Sequence, residues 1–322
     1  MGDVCDNVDQ YYQEKAPPDS DPDAVVTVAT VDKKGIVIRK PHEEQAFPVD
    51  PDKPGKKKMA TVISTYVSPR HIRTADDILM EVSDERKSAS KPKPQSKMTW
   101  GSLTEGPEKT VARLKKAVDQ QLPKGNELVC ILDGERSLWA LVSAYFSAAF
   151  FVLDIFHVLE HLGKAALCFY DEGSPQVREF VTERLKMLLQ GKAGRMIGGL
   201  KQMLSKHELS CAARHTLNQV IGYLERNRKH MRYEICLARG YPIGSGVIEG
   251  ACRNLINDRL ELTGMSWSLQ GAESMMRLRA VHINKDWDAF WKRRRTAERQ
   301  RLYGIDDSSS PEIRDQELPR AA

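Results

Sequence analysis

The order of strand and helix patterns is the feature that most constrains how this chain can fold. Five short β-branched or apolar runs have the character of strands, and they lie at 25–32, 36–39, 59–67, 127–133 and 150–154. Helix patterns separate the last of these strands, and from residue 156 to about residue 239 only helix patterns occur. One more amphipathic helix is predicted around Glu249. This order predicts an α/β fold in which helices flank a mixed sheet and an all-helical insertion precedes the last helix.

The same patterns divide the chain into segments. A stretch rich in lysine, serine and proline without apolar periodicity, at 83–97, is interpreted as a loop or linker. The predicted organisation is an acidic, flexible start at 1–24, the first part of a core at 25–170, a helical insertion at 171–239, the last part of the core with a basic arm at 240–303, and a disordered tail at 304–322.

Composition excludes several classes of protein. The net charge of +5 is too small to predict a partner by itself, although acidic residues crowd the start and basic residues crowd the segment after residue 291. The six cysteines form no CxxC pair, which argues against a disulfide framework or a zinc knuckle. No apolar run approaches the roughly 20 residues of a membrane span, and the start lacks the pattern of a signal peptide. We therefore expect a soluble protein of a reducing cytoplasm, with no membrane partner.

Three acidic residues stand where strands or a helix begin or end. Asp32 and Asp133 close two strand-like runs, and Glu249 falls in the first turn of a predicted helix behind a Gly-Ser-Gly segment. Each has an ordinary interpretation, because aspartate is common in turns and a glutamate in the first turn favours the positive end of a helix. Taken together, carboxylates on two strands and one helix suggest metal-dependent phosphoryl transfer on nucleic acid.

Four strings carry a resemblance to a known family. They are VTVATVDKKGIVIRK, ELVCILDGERSLW, FFVLDIFHVLEHLGKAA and YPIGSGVIEGACRNLINDRLELTGMSWSLQGAESMMRLRA. In this order they closely resemble the DDE transposases of bacterial insertion sequences of the Kra type, distant relatives of the mutator-like group, over about residues 10 to 303. The resemblance implies an RNase H-like core in which Asp32, Asp133 and Glu249 are the catalytic, metal-binding triad.

The resemblance also implies a reaction and its partners. Two Mg²⁺ ions, with Mn²⁺ as a possible substitute, would support cleavage of a DNA strand and its transfer to a target. Double-stranded DNA, both transposon ends and target, would be the substrate, and a homodimer would assemble on it. The expected location is the bacterial cytoplasm, in association with the nucleoid.

A second group of polar residues lies in the string DIFHVLEH. Asp154 and His157 would lie near the second catalytic aspartate, where they would contact DNA or orient a metal ligand, or would simply cap a helix. His157 and His161 also spell HxxEH with Glu160 between them, the motif of inverzincin zinc peptidases. Because the motif follows a buried strand inside a string that resembles the transposase family, the peptidase is a remote alternative.

Basic residues after Glu249 are candidates for contact with DNA. Arg253 and Asn257 follow it by four and eight residues and would share one ridge of a helix; Arg259 lies just beyond. The basic arm follows aromatic residues at helical spacing, which are more often core than nucleic-acid contacts. The candidates of this arm are Lys292, Arg293, Arg294 and Arg295.

Two departures from the family bear on activity. Lys33 follows the first aspartate, where relatives usually have glycine. Relatives also carry a sizeable amino-terminal region that recognises the ends of the element, whereas few residues precede the first predicted strand here. We therefore expect a copy truncated at the amino terminus. The alternative to an active transposase is a catalytically silent remnant that binds DNA or acts as a regulator.

Overall fold

One mixed sheet forms the centre of the molecule. The computed structural model describes residues 2–15, 25–39, 57–82, 92–122, 126–262 and 264–304, with side chains from residue 5 onward. Its strands are β1 (Val26–Val37), β2 (Lys57–Ser68), β3 (Gln95–Ser102), β4 (Glu127–Leu132) and β5 (Phe150–Leu153). Within the described residues these five lie in the order β3-β2-β1-β4-β5.

The direction of each strand follows from its connection. β1, β2 and β3 pair antiparallel, whereas β4 runs parallel to β1 and β5 runs parallel to β4. Parallel neighbours need a crossover, and two helices supply it: α3 (Gly106–Gln121) leads into β4 and α4 (Arg136–Tyr145) leads into β5. An antiparallel meander followed by two parallel strands is the RNase H-like arrangement, so the predicted fold class is confirmed.

The remaining helices surround this sheet. Those before and inside the insertion are α1 (Gly2–Glu14), α2 (Ala75–Val82), α5 (Ile155–Ala166), α6 (Pro175–Leu189), α7 (Ala193–Lys206), α8 (Cys211–Asn227) and α9 (Tyr233–Arg239). Those after it are α10 (Gly246–Cys252), α11 (Asp258–Leu260), α12 (Leu269–Ile283) and α13 (Trp287–Tyr303). Apolar residues at helical spacing, Leu217, Val220, Ile221 and Leu224, are buried on one face of α8 and belong to the same hydrophobic core as the sheet. No helix among the described residues is long and apolar enough to cross a membrane.

The strand boundaries in the first third of the sequence differ from the prediction. The Lys33-Lys34-Gly35 sequence is not a turn, because β1 continues through it and pairs with Thr61, Ala60 and Met59 of β2. A Cβ on Gly35 would lie 3.2 Å from a Lys57 side-chain carbon, so glycine leaves room for the side chains of β2 here. The first two residues of the predicted strand at 36–39 are therefore the end of β1, and Ile38 forms an isolated bridge with Trp267.

The third strand of the meander was missed. β3 begins at Gln95, inside the segment interpreted as a linker. The sequence does not predict this strand because it opens with polar residues, and its buried half, around Trp100, comes later. As an edge strand it buries only this second half. Residues 83–91 of the predicted linker lie outside the described residues.

The acidic start also differs from the expectation of flexibility. Residues 2–14 form α1, which buries Val8 and Tyr11 and packs against α12 and α13. Its acidic face is neutralised, since Asp9 pairs with Arg277 and Glu14 pairs with Arg293. A short apolar stripe among acids was enough to form a packed helix once basic partners lay opposite. Residues 16–24 and the predicted tail beyond residue 304 lie outside the described residues.

Candidate active site

Three aspartates lie at the same edge of the sheet. The parallel register pairs Thr30 of β1 with Ile131 of β4, and Leu132 of β4 with Leu153 of β5. Continued past the last paired residues, this register leads Asp32, Asp133 and Asp154 to the same edge. The backbone N–H of Asp154 donates to the carbonyl of Leu132 at 2.9 Å, which continues the alignment. This is the carboxyl edge of the parallel strands, where α/β proteins bind ligands.

Asp32 lies inside β1, whereas the sequence predicts it at the end of a strand. Its neighbour β4 stops at Leu132, but β2 still pairs on the other side, opposite Val62. The half-buried Asp32 carboxylate accepts a hydrogen bond from the backbone N–H of Lys33 at 2.6 Å. One edge of β1 is thus free of a parallel partner at the point where the carboxylate lies.

The surroundings of Asp133 disfavour its charge. Burial raises the pKa of the Asp133 carboxyl, and the negative charge of Asp32 raises it further. The backbone N–H of Glu135, which donates to the Asp133 carboxylate at 2.9 Å, opposes this rise, as does His157. Carboxylates that lie close enough to disfavour one another's charge are typical of a cation-binding site.

Glu249 is carried toward the same edge by the helix α10. Cys252, one turn further along α10, donates from its Sγ to the Asp32 carboxylate at 3.4 Å. Residues three apart share a helix face, so Glu249 also lies on the side of Asp32. Burial raises the pKa of Glu249, followed by the charges of Asp154, Glu160 and Asp32. Glu249 remains exposed. The three acids identified from the sequence therefore face one edge of the sheet.

These acids do not form a closed cage. Among the described residues no group of three histidine, cysteine, aspartate or glutamate side chains is close enough to hold a metal ion as placed. The donors that Asp32, Asp133 and Glu249 present are nevertheless all carboxylate oxygens, the ligands that Mg²⁺ prefers. Asp32 lies within β1, Asp133 directly follows β4, and the Glu249 side chain is exposed. The residues thus fit a site that is completed by its cation.

Asp154 has a different role from its two neighbours. It is fully buried and therefore cannot contact DNA. Of the two predicted roles, only support of the site remains. Its Oδ1 accepts from the backbone N–H of Phe156 at 3.0 Å and of Ser245 at 3.3 Å, and its Oδ2 accepts from the Ser245 hydroxyl. Ser245 is the N-cap residue of α10. Asp154 therefore ties the end of β5 to the helix that carries Glu249.

The two histidines of HxxEH have different neighbours. The Nε2 of His157 is 4.0 Å from the Asp154 carboxylate, and its Nδ1 is 3.7 Å from Glu160. The His161 ring instead stacks on Tyr223 with centroids 3.8 Å apart, and its Nδ1 is buried without a hydrogen bond. In the part of the chain that the structure describes, no third metal donor joins the two histidines.

We expect His161 to make the fold sensitive to acid. Burial lowers the pKa of His161 to about 4, below the ordinary value near 6.5, so between these values the unfolded chain binds a proton that the folded chain does not. Stability should therefore fall as the pH falls through about 6.5 toward about 4. Thermal unfolding at about pH 7 and about pH 5 measures this loss. The variant His161→Phe, which keeps a ring on Tyr223, should lose less; an equal loss would show that His161 titrates with an ordinary pKa.

The segment after Glu249 changes helical form. Residues Arg253–Asn257 form a π-helical turn, so the expected ridge of residues four and eight positions after Glu249 is wrong at its far end. Arg253 is exposed and lies 3.6 Å from Asp258, whereas the side-chain oxygen of Asn257 is buried without a hydrogen bond. Arg259 is exposed. Within this wider turn the Asn254 carbonyl accepts a hydrogen bond from the guanidinium of Arg279. The sequence does not single out Arg279.

The basic arm is a helix that packs on the start of the chain. In α13, Phe290 is buried and meets Tyr11 edge to face. Two of its four candidate basic residues are engaged within the molecule, because Arg293 donates to Glu14 and Arg294 lies over the Trp291 ring. The other two, Lys292 and Arg295, are exposed. Trp291 is partly buried against the core, which agrees with the interpretation of these aromatic residues as core residues.

Lys33 occupies the place of the family's glycine without turning the chain. Its ammonium group donates to Glu135 at 3.1 Å and to Ser137 at 2.8 Å. Burial opposes ionisation of Glu135, but hydrogen bonds from Ser137, Leu138 and Lys33 prevail and lower its pKa to about 2. Glu135 is also the N-cap residue of α4. An acid at the start of the predicted helix was the only sequence signal for this link between β1 and α4.

Comparisons with known proteins give little beyond this geometry. No family model matches the chain, and no curated protein matches it. Among solved structures the chain is similar to the Drosophila P element transposase strand transfer complex, at 12% identity over 94% of this chain and 70% of that chain, with a TM-score of 0.24. A likeness at this level carries no argument about function, which is instead argued from the acid-lined edge of the sheet.

Proposed function

We propose that the chain is a DNA transposase of the DDE type, which cleaves a DNA strand and transfers it with the help of Mg²⁺. The proposal is supported by the register of β1 and β4, which leads Asp32 and Asp133 to the same carboxyl edge of the sheet, and by the bond from Cys252 of the Glu249 helix to Asp32. The Kra-type resemblance in the same residues supports the finer assignment to that group.

In this proposal Asp32, Asp133 and Glu249 hold two Mg²⁺ ions, with Mn²⁺ as a substitute. When bound, the ions supply activation of the attacking oxygen and stabilise the charge on the leaving oxygen at phosphorus. Water would first displace the 3′ oxygen of a phosphodiester and expose a 3′-hydroxyl at the element's end. That hydroxyl would then attack a phosphodiester of target DNA and displace its 3′ oxygen, which leaves as a 3′-hydroxyl of the target strand, and no covalent bond to the protein would form.

The chain's own contribution is the placement of the acids. The backbone N–H groups of Lys33 and Glu135 hold the carboxylates of Asp32 and Asp133 before DNA arrives. Asp154 holds the start of α10 through Ser245. Such preorganisation lowers the cost of arranging ligands during the reaction. A homodimer bound to transposon ends and target DNA is part of the proposal.

The direct test is cleavage of supercoiled plasmid DNA by the purified chain. Nicking that requires Mg²⁺ or Mn²⁺ and stops on chelation would support the transposase. Binding to duplex DNA without nicking under either ion would instead favour the silent remnant or regulator. Zinc retained at about one ion per chain, and lost when His157 or His161 is replaced, would reverse the choice toward the peptidase.

We expect duplex DNA binding to weaken steeply with salt, because contacts to phosphates release counterions. If Lys292 and Arg295 each contact a phosphate, replacing either with alanine should reduce the slope of log affinity against log salt by about 0.9. Fluorescence anisotropy between roughly 50 and 200 mM salt measures the slope. Arg293→Ala is the matched control, since Arg293 already donates to Glu14. Unchanged slopes in the first two variants would remove α13 from the DNA surface.

A further inference from the structure

Two tyrosines of the helical insertion reach the strand ends that carry the acidic edge. The Tyr223 hydroxyl of α8 donates to the backbone carbonyl of Asp133 at 2.6 Å. The Tyr233 hydroxyl of α9 donates to the backbone carbonyl of Leu153 at 2.8 Å. Both tyrosines are buried. The insertion is therefore bonded to the carboxyl ends of β4 and β5, the two strands that lead into Asp133 and Asp154.

The contact at Asp133 is the tighter of the two. Gly134 has a φ of +92°, and a Cβ there would lie 2.8 Å from the Tyr223 ring and hydroxyl and 3.0 Å from the Asn227 amide nitrogen. Only glycine allows the turn after β4 to approach α8 this closely. On its other side the Tyr223 ring is stacked on His161, with an angle of 21° between the rings. The hydroxyl is thus held in place before it meets the Asp133 carbonyl.

The Tyr223 hydroxyl holds the backbone of Asp133 from the side of the helical insertion. Its partner carbonyl belongs to the residue whose side chain accepts from Glu135, so both polar groups of Asp133 are fixed by hydrogen bonds from different parts of the chain.

We propose that Tyr223 is a positioning residue for the Asp133 carboxylate, through which the helical insertion sets the geometry of the metal site. The inference rests on the proposed function, because it gives the insertion a part in that same site. Without the hydroxyl, the Asp133 peptide loses its link to α8 and the carboxylate gains freedom. Replacing a group that is hydrogen-bonded to a metal ligand typically lowers metal affinity or activity by about 10- to 100-fold.

The test compares Tyr223→Phe with Tyr241→Phe. Both remove one hydroxyl and keep the ring, and the Tyr241 hydroxyl donates to Glu127 at the opposite end of the same strand. The Mg²⁺ concentration that gives half-maximal plasmid nicking should rise about 10-fold in Tyr223→Phe and stay near wild type in Tyr241→Phe. DNA affinity should be unchanged in both. Mn²⁺ binding followed by electron paramagnetic resonance should weaken in parallel in Tyr223→Phe alone.

The outcomes separate the inference from the function on which it rests. Wild-type nicking with the same Mg²⁺ requirement in Tyr223→Phe would overturn the inference and leave the transposase standing. A wild-type chain that neither nicks DNA nor binds Mn²⁺ would overturn both. Equal effects in the two variants would show a general loss of stability, which thermal unfolding would reveal, and would also overturn the positioning role.

Discussion

Replacing Asp133 with asparagine is expected to reduce Mg²⁺-dependent nicking by roughly a thousandfold or more. The amide keeps the shape of the side chain but removes the charge and one of the oxygens that would hold a cation. DNA binding should remain, because Asp133 is half-buried in the edge of the sheet and its loss removes only negative charge. Plasmid nicking and anisotropy on the same preparation measure the two properties. Asp32→Asn and Glu249→Gln should behave in the same way.

The fold should become more stable in Asp133→Asn, and this distinguishes a functional acid from a structural one. Burial and the charge of Asp32 raise the pKa of Asp133 in the folded protein. A group whose pKa is raised on folding costs stability as the pH rises through its ordinary range, and a neutral isostere removes that cost. Thermal unfolding near pH 7 should therefore show an increase. Full nicking activity in Asp133→Asn would contradict the assignment, and so would loss of activity together with loss of folding.

A matched control is available at the other end of the sheet. Asp119 is exposed in α3 and lines the same surface depression as Glu127, the first residue of β4. Asp119→Asn makes the same chemical change far along the strand from Asp133. It should leave both nicking and its Mg²⁺ requirement unchanged. A similar loss in this control would mean that the assay reports net charge and not the site.

The buried strands and the acids that follow them could be predicted because both are local signals. The run that became β5 is apolar throughout and the run that became β4 is apolar after Glu127, and in each case an aspartate comes directly after. The position of Asp32 inside β1 could not be predicted, because it depends on β2 continuing to pair where β4 has stopped. The local pattern around Lys33-Lys34-Gly35 is that of a turn, and the pairing overrides it.

Other parts of the site depend on contacts between residues that are distant in the sequence. The hydrogen bond from Tyr223 goes to a backbone carbonyl, which every residue has, so the sequence does not reveal its partner. The π-helical turn after α10 shifts the helical phase in a segment whose residues allow either form. The packing of α1 needed basic residues of α12 and α13, more than 250 positions away, to neutralise its acids. Sequence patterns therefore single out the acids as candidates but not the residues that hold them.

The second large effect is expected at Asp154, where alanine and asparagine should differ sharply. Asp154→Ala leaves the Ser245 hydroxyl and two backbone N–H groups without an acceptor in a buried place. We expect a loss of about 3 kcal/mol in the free energy of unfolding, because each unsatisfied buried donor costs about 1 to 3 kcal/mol. Nicking should fall 10- to 100-fold as α10 loosens and Glu249 moves. Denaturant unfolding and plasmid nicking measure the two losses.

Asp154→Asn should retain most of the activity, which is the opposite of the result expected at Asp133. The asparagine oxygen can accept from the N–H groups of Phe156 and Ser245, while its amide donates to the Ser245 hydroxyl, which can reverse its role. Every polar group of this link then keeps a partner. The charge of Asp154 is thus dispensable if the residue only holds α10. Loss of nicking in Asp154→Asn, with stability and DNA binding retained, would show instead that its carboxylate serves the cation directly and that the acidic edge has four working members.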